Sequence, residues 1–144
     1  MSFQRILIAL DDSPISIHAM EVGRDLAKAL GAEIALLHVL EPRIAYAPEG
    51  GFPASNVLDE FREQARRLLR CAARRIGGDP PPWEYLVEGN VSRKIVTSAD
   101  EWKADLIVMG SHGRTGIALA FLGSTAESVV RHSRIPVLTV RGRG

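Results

Sequence analysis

The chain predicts a doubly wound α/β domain, one parallel sheet with helices on both faces. Three observations carry this expectation. The apolar runs ILIAL at 6–10, EIALLHVL at 33–40 and DLIVM at 105–109 are near-continuous, as in strands covered on both sides. Stretches with apolar residues at helical spacing separate them. Each intervening stretch is long enough for a helical crossover between parallel neighbours.

The first strand, Ile6 to Leu10, stops at Asp11-Asp12-Ser13-Pro14. Ser13 stands where an N-cap belongs and Pro14 at the first helical position. Ile15, Ala19, Val22, Leu26 and Leu30 then define a helix that Gly31 closes. Glu33 to Leu40 form the second strand. Residues 41–55, with three prolines and two adjacent glycines, read as a long loop. The next helix places Leu58, Phe61, Ala65, Leu68, Ala72 and Ile76 on one face. Asp59 and Glu60 are expected in its first turn and Arg74 and Arg75 in its last, matching the macrodipole. Gly77-Gly78 end it, and three prolines lead into the third strand, WEYLVEG. Val91, Ile95, Ala99 and Trp102 mark a third helix, and Asp105 to Met109 a fourth strand. Ala126, Val129 and Val130 mark the last helix and Pro136 to Arg141 the last strand.

Bulk properties narrow the function. The chain has 144 residues, enough to bury a core without disulfides. A net charge of +1 gives no argument for nucleic acid or membrane as partner. No apolar stretch approaches the roughly 20 residues that cross a bilayer. The N-terminus enters a strand directly, without a signal-peptide pattern. With the single Cys71 unable to pair internally, a cytoplasmic location is expected.

Residues 110–124 read GSHGRTGIALAFLGS, with glycines at 110, 113 and 123 and Ser124 after the last. They join the fourth strand to the last helix, at the strand ends where such sheets bind ligands. A helix N-terminus favours an anion, and glycines let phosphates approach the backbone. Neither the P-loop pattern nor the dinucleotide fingerprint is present. Two structural readings stand beside this one. Gly110 and Gly113 serve a turn, and Ser124 with Glu127 matches the S-x-x-E spacing of a capping box.

The spacing G-x2-G-x9-G-[ST] on this topology resembles the nucleotide-binding signature of the universal stress protein family. RILIALDDS and ALLHVL resemble its first two strands, and ADLIVMGSHGRTG and GSTAESVVRHSRIPVLTVR its most recognisable region. The resemblance covers nearly the whole chain. The intact glycine pattern resembles the ATP-binding branch, so it implies ATP with Mg²⁺ held through the phosphates. It places Ala9 and Asp11 at the ribose or adenine end and Val39 against adenine. It places Met109 and Gly110 on the floor, Gly113 at the turn, and Gly123, Ser124 and Thr125 at the phosphates. Two departures stand out. Asp12 replaces the family's usual glycine, and Leu119 stands in an apolar stretch where relatives often carry a basic or polar residue.

Other candidates point to less. His38 reads as a satisfied histidine within a strand and His112 as a phosphate neighbour or a surface residue. His18 and His132 read as solvated, and the arginine-rich 61–67 stretch as a solvated face. No histidine pair has metal-ligand spacing. For hydrolysis, Arg114 could supply charge and Asp11, Asp12 or Glu127 could orient water, but they form no recognisable constellation. The last strand is expected at a sheet edge, which needs pairing or protection. In relatives it pairs with its twin, which implies a homodimer through Val137, Thr139 and Val140.

The expected fold is a Rossmann-like five-stranded parallel sheet in the order 3-2-1-4-5. The expected function is ATP binding in a stress response, with little or slow turnover and a surface read by an unidentified protein partner. A slow ATP hydrolase and a nucleotide-free dimeric interaction module are the alternatives.

Overall fold

The computed structural model describes residues 2–42, 55–112 and 122–142. Gly113, Arg114, Leu119 and most of the 41–55 loop lie outside these residues.

The elements alternate as β1 (Arg5–Ala9), α1 (Pro14–Leu30), β2 (Glu33–Leu40), α2 (Ser55–Ile76), β3 (Trp83–Glu88), α3 (Val91–Trp102), β4 (Leu106–Gly110), α4 (Ser124–His132) and β5 (Val137–Val140). The five strands form one sheet in the order β3-β2-β1-β4-β5, and every neighbouring pair is parallel. Alternation along each central strand divides the core in two. Ile6, Ile8, Leu36 and Val108 pack under α1 and α2, with Ala19, Met20, Leu69 and Ala72. Leu7, Leu37, Val39 and Ile107 pack under α3 and α4, with Ile95, Ala99, Ala126 and Val129. The central strands are therefore apolar on both faces, which explains their continuous runs.

Local signals set the helix ends. The Ser13 hydroxyl accepts from Ser16 N, Pro14 occupies the first turn, and Gly31 ends α1 at φ 66°. Asn90 caps α3 by accepting from Arg93 N at 3.0 Å. At the amino-terminal end of the sheet, one carboxylate oxygen of Asp105 accepts from Gln4 N at 2.8 Å and Arg5 N at 2.9 Å. Arg5 in turn donates to Trp102 O at 2.8 Å, so β1, α3 and β4 are tied together there.

Three helical expectations shift. The buried stripe of α1 is Ser16, Ala19, Met20, Gly23 and Ala27, and Leu30 is exposed. Helix α2 begins at Ser55, so Asp59 and Glu60 fall beyond its first turn, and Asp59 pairs with Arg62 instead. Val130 points outward from α4 while Val129 is fully buried. In α1 and α4 an apolar residue beside the buried stripe had been assigned to it, and in α2 the helix starts earlier than expected. Among the described residues, no helix is long and apolar enough to cross a membrane.

Strand β5 lies at the sheet edge, as expected. Ile107 N donates to Pro136 O and Ser111 N to Val140 O. Because strand residues alternate in the direction of their main-chain groups, Val137 and Thr139 turn theirs to the open edge. Val140 differs from the expectation, since its carbonyl is spent on β4 and its side chain is buried. The opposite edge is β3, where Trp83 is exposed. The arginines of α2 are largely paired. Arg62 donates to both oxygens of Glu88, at 3.0 and 3.1 Å, and these bonds hold its pKa above the ordinary guanidinium value.

Candidate functional site

Chain order dictates where a site can form. β1 and β4 are neighbours but their crossovers leave on opposite faces, so a crevice opens above their carboxyl ends. A cavity of about 540 Å³ occupies this crevice, within the range of small-molecule sites.

The end of β1 contributes Ala9 and Asp11. Leu10 N donates to Leu37 O, which keeps β1 paired to its end. The chain then folds on itself: Asp11 Oδ1 accepts from Ser13 N at 2.7 Å, and Asp11 N donates to Ser16 Oγ at 2.8 Å. One Asp11 oxygen is therefore held by the start of α1. The other accepts no hydrogen bond from the described residues.

The end of β2 contributes Val39 and His38. Their side chains leave opposite faces of the strand. His38 Nδ1 lies 2.7 Å from Leu10 O, and a carbonyl can only accept, so Nδ1 carries the proton. His38 is satisfied on that side, as expected of a strand histidine.

The third wall is the end of β4 and the start of α4. Ser111 N donates to Val140 O at 2.8 Å, and Gly123 N donates to Ser111 O at 2.7 Å. These bonds pin both ends of the glycine-bearing connection. Gly123 is the N-cap of α4 at φ −65° and ψ 160°, and no side chain caps it. Glu127 is the first residue bonded back into the helix, through Gly123 O, which leaves the preceding N–H groups at the cavity. Gly123, Ser124, Thr125 and Ala126 all line it.

This geometry overturns the capping box. Ser124 is the first helical residue rather than the cap, and Glu127 pairs with Arg131 at 2.7 Å. Glu127 is also absent from the cavity wall, so it is not placed to orient a water there. A turn does not explain Gly123, whose dihedrals any residue adopts. At Gly110 a third reason applies. A Cβ there would lie 2.6 Å from Ile15 Cγ2, so glycine is needed for α1 to pack on β4.

Of the expected nucleotide residues, Ala9, Asp11, Val39, Met109, Gly110, Gly123, Ser124 and Thr125 border this one cavity. Gly113 and Arg114 lie outside the described residues. Asp12 also lines the wall, exposed rather than deep. His112 departs from the surface reading. It is buried, with Nδ1 3.0 Å from Ser111 Oγ, and Nε2 has no partner among the described residues. His18 is half-buried rather than solvated. Sequence reasoning missed the helical walls: Phe61, Gln64 and Leu68 from α2, and Val91 and Ile95 from α3. Their apolar spacing is indistinguishable from core packing.

The electrostatics are one-sided. Asp11, Asp12 and Glu41 line the cavity, and no lysine or arginine does so among the described residues. No group of three potential metal ligands is assembled among those residues either. The positive feature of the wall is the set of helix N–H groups at the start of α4, and the imidazoles of His38 and His112 border the same cavity.

Comparison with known proteins agrees with the architecture. Residues 2–141 match the profile described as the universal stress protein family. A universal stress protein of Thermus aquaticus is 35% identical over 139 residues, covering 96% of this chain and 99% of the relative. The structure of hypothetical protein MJ0577 superposes with a TM-score of 0.85 at 26% identity, covering 100% of this chain and 99% of the other. A universal stress protein solved in complex with cAMP superposes with a TM-score of 0.74 at 28% identity, covering 97% and 98%.

Proposed function

This chain belongs to the universal stress protein family, and from that premise we propose that its crevice binds ATP, in a regulatory role with little or slow turnover. The observation that carries the reading is the start of α4. Its first N–H groups border the cavity without a side-chain cap, and Gly123 sits there although its backbone conformation does not require glycine. Space for an approaching anion accounts for both features. The relative solved with cAMP supports a nucleotide as the occupant of this fold.

In this reading Ala9, Asp11 and Val39 hold the base and ribose, with Met109 and Gly110 as floor. Gly123, Ser124 and Thr125 receive the phosphates, and Gly113 and Arg114 join them by the sequence pattern. Asp11 borders the same space, so a triphosphate brought beside it needs charge compensation there. Mg²⁺ on the phosphate oxygens supplies it while keeping most of its waters. Little turnover is part of the same reading, as Glu127, one of the candidates to orient water, pairs with Arg131 away from the cavity wall. Two chains pair through the open edge of β5, using the outward main chain of Val137 and Thr139, and present a surface to a further partner.

The test is Gly123→Val. A side chain at that N-cap fills the phosphate approach without straining the backbone. The expected result is loss of MgATP affinity by about tenfold, since a partly buried anion at a helix N-terminus gains up to about 2 kcal/mol and tenfold corresponds to about 1.4 kcal/mol. Far-UV circular dichroism should be unchanged. Unaltered affinity in a folded variant would refute the site.

A further inference from the structure

We infer that His38 reads the base: its Nε2 accepts a hydrogen bond from the exocyclic amine of a 6-aminopurine and disfavours a 6-oxopurine. This inference rests on the nucleotide reading above and assigns it a specificity residue. Three observations carry it.

The first is a fixed tautomer. His38 Nδ1 donates to Leu10 O at 2.7 Å, so the neutral ring must present Nε2 as a lone-pair acceptor. Leu10 O has no proton to give, so the ring cannot reverse its polarity there. The second is availability. Nε2 takes no hydrogen bond from the described residues, and it is not among their buried unsatisfied atoms. The third is setting. His38 lines the same cavity as Ala9 and Val39, from the α2 side with Leu40, Phe61, Ala65 and Leu68; its side chain leaves the face opposite Val39, so a base touching both lies across the end of β2. Those side chains offer apolar surface suited to a purine ring, and Gln64 is the one polar side chain that α2 adds to this wall. An acceptor fixed within such a wall discriminates strongly, because a mismatched carbonyl would leave two acceptors opposed and unpaired.

His38 is thus a positioning and selecting residue, not a catalytic one. The experiment titrates wild type, His38→Asn and His38→Leu with MgATP and with MgITP, nucleotides that differ at position 6 of the purine. Thermal melts establish that each variant is folded. Wild type is expected to bind ATP about tenfold more tightly than ITP, the value of one neutral hydrogen bond gained against one mismatched. In both variants the ratio should fall toward one. A purely structural tie between β1 and β2 would weaken both nucleotides equally and keep the ratio, which would overturn the inference. Equal affinities in the wild type would overturn it as well. Failure of the wild type to bind either nucleotide would be a different result, overturning the nucleotide reading itself and this inference with it.

Discussion

A Cβ on Gly110 would stand 2.6 Å from Cγ2 of Ile15. The glycine that ends β4 is therefore a packing requirement between strand and helix, even though Gly110 also borders the cavity. Gly110→Ala is expected to cost about 1–3 kcal/mol of stability, the usual penalty of overpacking. In an Ile15→Ala background that cost should shrink by about 1 kcal/mol, the coupling expected of residues in contact. Urea denaturation of the four proteins in this cycle measures both values.

Ser124 and Asn90 begin different helices and are expected to fail differently. Asn90 caps α3, so Asn90→Ala should lower stability by about 1 kcal/mol and leave nucleotide affinity alone. Ser124 follows the cap of α4 and borders the cavity. Ser124→Ala should leave stability within about 0.5 kcal/mol. Its affinity for MgATP should fall by about tenfold or more, the value of one hydrogen bond to a charged group. Denaturation and calorimetric titration of both variants separate the two roles.

How far these features were legible in the sequence varies with range. The alternation of strands and helices and the Ser13 and Gly31 helix ends follow from local patterns and chain direction, whereas the strand order 3-2-1-4-5 came with the family resemblance. The reasons behind individual glycines do not. Nothing near Gly110 in the sequence announces Ile15, which reaches it only through the packing of α1. The same limit applies to His112, read as a phosphate neighbour or surface residue and found buried against Ser111. Phe61, Leu68, Val91 and Ile95 looked like core stripes because a cavity wall and a core face share one periodicity. Ser124 and Glu127 had the spacing of a capping box, but the helix starts one residue earlier than that box requires, with Gly123 as its cap.

The carboxylates of the cavity make a prediction about metal. With Asp11 on the wall, free ATP meets like charge. Removing Mg²⁺ with EDTA is expected to weaken ATP binding by about tenfold or more, as a bridging divalent ion offsets more than 1.4 kcal/mol of repulsion. Adenosine, which carries no phosphate, should bind equally with and without the metal. Titration of both ligands in either buffer decides the matter.

The open edge of β5 yields a prediction about assembly. Thr139 directs its main chain away from β4, so Thr139→Pro removes an outward donor without breaking a bond within the sheet. The wild-type chain is expected to have the mass of a dimer by light scattering, and Thr139→Pro that of a monomer. A Thr139→Pro chain that keeps the dimer mass would exclude this edge as the contact.

The central claim is that the crevice between β1 and β4 holds ATP and keeps it. Denaturing freshly purified protein and chromatographing the released small molecules tests it most directly. The expected result is ATP in near-stoichiometric ratio to the chain, rising no further on incubation with MgATP. Recovery of ADP or AMP would contradict slow turnover unless direct titration showed those nucleotides to be selected. An empty protein that also ignores added MgATP would contradict the claim outright.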